Sequence, residues 1–168
     1  MKRFDTALSS VALRGAGFAC ALLLMTVSPG YAQSGPFIHF GGAWTGSGTV
    51  SLSDGSKERI RCRAQYNVAQ AGNALTQSLR CASDSYRFDL SSDVVATGGT
   101  VTGRWSEASR GLNGELQGRV RDGRIDVFVQ AAGFAGNLSV TTRGNRQSVT
   151  IDSKGDLRGV TITMTRGG

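Results

Sequence analysis

The chain has 168 residues but only one histidine and three cysteines, and that shortage removes several kinds of chemistry. A Ser-His-Asp or Cys-His centre needs an imidazole held among partners, whereas His39 precedes every regular pattern in the chain. A structural zinc site needs three or four Cys or His ligands, more than remain once two cysteines are joined. An amphipathic helix is missing as well, because after residue 42 no segment repeats its apolar residues at a period of 3.6. The "GSG" at 46–48 therefore cannot be a phosphate cradle, which needs a strand feeding a helix N-terminus. There is no block of like charges, and aromatic residues do not interleave with basic ones as stacking on single-stranded nucleic acid requires. Nucleic acid is not an expected partner, no metal or cofactor is expected, and the protein is not expected to be an enzyme. Glu107 could be paired on paper with Asp89 or Asp93 as acid and base. Strand carboxylates beside arginines are, however, ordinarily solvated ion pairs.

The first 32 residues read as a signal peptide. Lys2, Arg3 and Arg14 precede or flank an apolar run, "GAGFACALLLMTV" (15–27), and "GYA" (30–32) supplies small residues for cleavage after Ala32. The run is shorter than the roughly 20 apolar residues of a membrane span. Much of it also follows Cys20, which argues against a lipoprotein. Cleavage leaves one domain's worth of chain with a net charge of about +5, a weak preference for acidic partners. It also leaves two cysteines, Cys62 and Cys81, which in an oxidising compartment read as a disulfide. The expected location is periplasmic or secreted.

Beyond Trp44 the period is two. "RIRCRAQYNV" (59–68) puts Ile60, Cys62, Ala64, Tyr66 and Val68 on one face and Arg59, Arg61 and Arg63 on the other. "RIDVFVQ", "NLSVTTR", "QSVTID" and "GVTITMT" repeat the alternation. Turn residues then fix the register. Asp122-Gly123 suits a type I′ hairpin and sets Val120 opposite Ile125. Gly144-Asn145 sets Val140 opposite Val149, Gly98-Gly99 sets Ala96 opposite Val101, and Ala132-Gly133 sets Val127 opposite Leu138. A turn at Ser83-Asp84 sets Leu79 opposite Phe88, and a loop at Ala71-Gly72 sets Cys62 opposite Cys81, within disulfide reach. Ten strands follow, at about 43–52, 58–68, 74–82, 85–96, 100–107, 111–121, 124–131, 134–143, 146–153 and 158–166. The expected fold is all-β, a single antiparallel up-and-down meander closed into a barrel, since closure removes exposed edges. A two-sheet β-sandwich is the alternative.

Composition decides which face is inside. One face collects arginines and aspartates throughout, a normal exterior and a strange lining for a narrow barrel. The apolar face is then the interior, with Trp44, Tyr66, Phe88, Trp105, Leu116, Val127 and Leu138 as candidate ligand-lining residues. Gly46, Gly48, Gly103, Gly114, Gly118 and Gly136 share that face, where glycine serves either sharp curvature or empty space. Outside, Arg59, Arg61, Arg63 and Arg80 form a basic stripe with Arg63 opposite Arg80. It is either a solvated face or a surface for an envelope protein or anionic layer.

"GAWTGSG" (42–48) resembles the G-x-W opening of calycin barrels, and more closely the G-x-W-x-G-x-G start of nitrobindin-like ten-stranded barrels related to fatty-acid-binding proteins. That resemblance implies a tryptophan capping one barrel end beside a basic residue from a later strand, with Arg104, Arg143 and Arg166 as candidates. The chain departs from the pattern at "TVSLSDG" (49–55), which lacks the tyrosine-proline pair. It also has no late histidine, so no haem-ligand position carries over. "RIRCRA", "LRCASDSYRFDL" and "TRGNRQSV" are similar to stretches of small exported bacterial proteins of unassigned activity.

The expected function is an exported barrel, residues 43–168, binding a small apolar or amphipathic molecule inside. The alternative is an envelope interaction module such as a protease inhibitor. It would work through loops and a flexible N-terminal segment, residues 33–42 ("QSGPFIHFGG"), whose apolar residues fit no regular pattern.

Overall fold

The structure, a computed structural model, describes residues 34–167; the expected signal peptide at 1–32 lies outside the described residues. Ten antiparallel strands form the described part of the chain: β1 (Gly42–Leu52), β2 (Lys57–Ala69), β3 (Ala74–Ala82), β4 (Arg87–Thr97), β5 (Thr100–Glu107), β6 (Leu112–Arg121), β7 (Arg124–Ala131), β8 (Phe134–Arg143), β9 (Arg146–Ser153) and β10 (Leu157–Arg166). Each strand pairs with its neighbours in sequence, and β1 pairs with β10 to close a barrel, so the sandwich alternative is excluded.

Alternation and turn chemistry cause this arrangement. Asp122 and Gly123 both take positive φ, 50° and 74°, as a two-residue primed turn requires, and Val120 faces Ile125. Ala96 faces Val101, Val127 faces Leu138, and Val140 faces Val149. Cys62 faces Cys81 and is joined to it, pointing inward and almost fully buried. The bond closes a sequence separation of 19, worth about 3 kcal/mol in the chain-entropy model.

The β3–β4 connection departs from expectation. Phe88 lies opposite Cys81 and Leu79 opposite Leu90, two residues from the predicted pairing. The turn is not Ser83-Asp84 alone but the four residues 83–86. Ser83 N–H donates to the Tyr86 carbonyl at 2.8 Å, and Tyr86 N–H donates back to Ser83 Oγ at 2.9 Å. Glu58 accepts the N–H and hydroxyl of Ser85. A slip of two leaves every side chain on its own face, so the interior set is unchanged.

The inward glycines answer to curvature. A Cβ on Gly46 would come within 2.0 Å of the Thr163 carbonyl on β10, and one on Gly114 within 1.9 Å of the Gln130 carbonyl on β7. At these places the coiled strands approach too closely for any side chain. The outward face carries the arginines, with Arg59, Arg61, Arg63 and Arg80 all exposed. A barrel embedded in lipid does not tolerate such an exterior. No helix among the described residues is long and apolar enough to cross a membrane.

Residues 34–41, expected as part of a flexible segment, are instead packed on the barrel end formed by the 70–73 connection and the C-terminal end of β10. Gly35 N–H donates to Ala71 O at 2.7 Å and Phe37 N–H to Gly72 O at 3.0 Å. Phe37 and Phe40 are fully buried, rings edge to face at 6.2 Å. Burial of the two phenylalanines, together with these backbone hydrogen bonds, offsets the entropy of ordering the segment.

Candidate functional site

Inside the barrel lies an apolar cavity of about 150 Å³. Tyr66 on β2, Phe88 on β4, Trp105 on β5, Leu116 on β6, Val127 on β7 and Leu138 on β8 all line it, since each occupies an inward position of its strand. Trp44 does not. It lies fully buried at the end closed by residues 34–41, its Nε1–H donating to the Phe40 carbonyl at 2.9 Å. Of the three arginines that could sit beside it, Arg166 is the one that does, with its guanidinium 4.6 Å from the ring centroid. The adjoining Arg166 Nε is buried without a hydrogen-bond acceptor among the described residues. The electron-rich indole face is its compensation.

The opposite end carries the connections 53–56, 83–86, 108–111, 132–133 and 154–156. Half-buried Tyr86, Phe88, Leu112, Phe134 and Leu157 gather there, and the lumen opens between them. Tyr86 and Phe88 meet at 4.7 Å, and Trp105 meets Phe134 at 5.8 Å. Both pairs have the inclined geometry that aromatic quadrupoles favour.

Three polar features interrupt the apolar lining. Deep in the lumen the Tyr66 hydroxyl donates to Gln147 Oε1 at 3.0 Å, and Gln147 Nε2 donates to Thr142 Oγ1 at 3.0 Å. Burial pushes the Tyr66 phenol far up, against a smaller opposing effect of Gln147, so it is a neutral donor at any physiological pH. One strand further round, Ser92 Oγ donates to Gln77 Oε1 at 3.0 Å.

The third feature is at the mouth. Glu107 is only 3 % exposed, a correction to its expected place on the surface. Its carboxylate accepts the backbone N–H groups of Asp89 (2.9 Å), Ser109 (3.1 Å) and Arg110 (2.9 Å), which fold the 108–111 loop around it. Burial raises this carboxyl, but hydrogen bonds from Asp89 and Ser109 and the charge of Arg110 outweigh it and hold the group below the ordinary glutamate range. It is therefore a structural anion, and Asp89 meets it through a backbone amide rather than as a partner carboxylate. Arg110 lies across the mouth, 4.4 Å from the Tyr86 ring centroid and 5.0 Å from that of Phe88. Tyr86 is raised by burial and partly brought back by the charge of Arg110.

Sequence reasoning missed Gln147 and Thr142 and put Glu107 outside, although strand parity already carried all three inward. Glu107 continues Val101, Gly103 and Trp105; Gln147 precedes Val149 and Ile151; Thr142 follows Leu138 and Val140. Arg110 had no such signal, because it sits in a loop.

None of the cavity-lining residues is a histidine or cysteine, and His39 is exposed at the closed end. A volume near 150 Å³ is also below the roughly 300 Å³ at which pockets for large ligands begin. The residues do not fit a haem. Among the described residues no group of three or more His, Cys, Asp or Glu comes together. On the exterior, Arg63 lies opposite Arg80, which contacts Asp89 at 3.3 Å.

No family model matches the chain, and no curated protein matches it. Among solved structures it is similar to Rv2717c from M. tuberculosis, with a TM-score of 0.63 over 79% of this chain and 94% of that chain. At 14% identity that likeness shows a shared fold.

Proposed function

We propose that this is an exported, non-catalytic barrel that holds a small, slender apolar or amphipathic molecule in its lumen, and that it is a calycin-like barrel of the nitrobindin-like type. The observation that carries the first reading is the cavity itself. Native cores leave few voids larger than a water molecule, whereas this barrel keeps about 150 Å³ lined by aliphatic and aromatic side chains and open at one end. An engineered apolar cavity of about that size stays dry and takes up benzene. The second reading is supported by Trp44 stacked against Arg166 at the closed end. A non-catalytic role is supported by the saturation of Glu107, which leaves no lone pair oriented for proton transfer.

The inhibitor alternative drew its motive from apolar residues in 33–42 with nothing to do. Phe37 and Phe40 are committed to the barrel, so an interaction role would fall to the outer arginines.

The two tryptophans make a direct test, because Trp105 lines the cavity and Trp44 does not. Titration with 1-octanol is expected to shift the Trp105 indole N–H resonance and leave that of Trp44 in place. Leu116→Phe, which adds volume to the lumen wall, is expected to weaken binding at least tenfold while keeping a cooperative melt. Absence of any Trp105 shift, or equal binding by Leu116→Phe, would overturn the reading.

A further inference from the structure

The cavity wall carries two charged groups, and they are not equivalent. Glu107 is buried and its oxygens are occupied by three backbone N–H groups. Arg110 keeps a substantially exposed side chain, 38 %, at the point where the lumen meets solvent. Among the described residues its guanidinium makes two hydrogen bonds, both from Nη1 and both long, to Arg87 O at 3.3 Å and Glu107 Oε2 at 3.4 Å. What holds it in place is the attraction of its charge to the Tyr86 and Phe88 rings, whose centroids lie 4.4 Å and 5.0 Å from its central carbon. A cation–π contact uses the charge and occupies no hydrogen-bond acceptor, so N–H donors of the guanidinium remain for a planar acceptor. Charge-assisted, two-pronged contact with an oxyanion is what those donors do best.

We propose that the ligand is an amphiphile with an oxyanion head, its apolar tail in the lumen and its carboxylate-like head paired with Arg110 at the mouth. This rests on the cavity reading above and adds the head group to it. A cationic head would meet Arg110 directly and be repelled. A neutral head would leave the guanidinium edge to water.

Three probes built on eight-carbon chains separate the head from the tail: octanoate, 1-octanol and octyltrimethylammonium, titrated by calorimetry with the Trp105 resonance as position marker. The intact barrel is expected to bind octanoate about tenfold more tightly than 1-octanol and octyltrimethylammonium most weakly. Arg110→Gln keeps the backbone N–H that Glu107 needs. It is expected to erase the octanoate preference while leaving 1-octanol affinity within about twofold, and Arg110→Lys to restore part of it through charge alone. Equal affinities for octanoate and 1-octanol in the unaltered protein would overturn the oxyanion assignment and leave the cavity reading standing. So would an Arg110→Gln variant that weakens both probes alike, which would make Arg110 only a wall of the mouth. If no probe moves Trp105, both readings fall.

Discussion

Gln147 is 1 % exposed and would be a liability in an apolar lumen if it stood alone. It is tolerated because both ends of its amide are occupied, one by Tyr66 from across the barrel and one by Thr142. The net value of such bonds is modest, but stranding one partner is expensive. Gln147→Leu is therefore expected to destabilise the fold by about 1–3 kcal/mol, because it leaves the Tyr66 hydroxyl buried without an acceptor. Adding Tyr66→Phe to that variant should recover much of the loss. Urea unfolding of the two single variants and the double one supplies the cycle, and strictly additive losses would show that the two side chains are not coupled. The same residue shows what a sequence can miss. Parity put Gln147 indoors, but the residue that would accept from or donate to it is 81 positions away for Tyr66, and no local pattern names that partner.

At the scale of elements, β1 and β10 close the barrel, and their contact leaves no room for a side chain at two inward positions of β1. Gly46 faces Met164 and Gly48 faces Ile162, with neighbouring carbonyls where a Cβ would go. Gly46→Ala should cost about 1–3 kcal/mol, as overpacking does. Gly155→Ala, in the 154–156 connection with open space around it, should stay within about 0.5 kcal/mol. Equal midpoints in urea for the two variants would contradict the close approach. The strands, their faces and most turns could be read directly from alternation and from Asp-Gly and Gly-rich pairs. The β3–β4 register could not, because Ser83 and Asp84 suggest a two-residue turn while the hydrogen bonds between Ser83 and Tyr86 close a four-residue one. Apolar still faces apolar after a shift of two, so the hydrophobic pattern had no vote between them.

For the whole molecule, the consequential feature is that the two ends differ. One is sealed by residues 34–41 with Phe37, Phe40 and Trp44 all fully buried; the other is open and ringed by half-buried apolar side chains around Arg110. A ligand therefore has one way in. Phe37→Ala or Phe40→Ala is expected to lower stability by about 3–5 kcal/mol, while Ile38→Ala, on the exposed side of the same segment, should change it by no more than about 0.5 kcal/mol. Thermal or urea unfolding distinguishes this from a free segment, in which all three substitutions would be silent.

The sequence by itself determined the ten strands, the inward face and the Cys62–Cys81 bond, because each follows from a period of two and from turns that only certain residues make, whereas closure over a sandwich rested on the pairing of β1 with β10. Tertiary structure alone decided that residues 34–41 seal one end, that Arg166 rather than Arg104 or Arg143 stacks on Trp44, and that Arg110 stands at the mouth. Those outcomes depend on which loops and ends the closed barrel brings together in space, a distance that alternation along the chain does not encode.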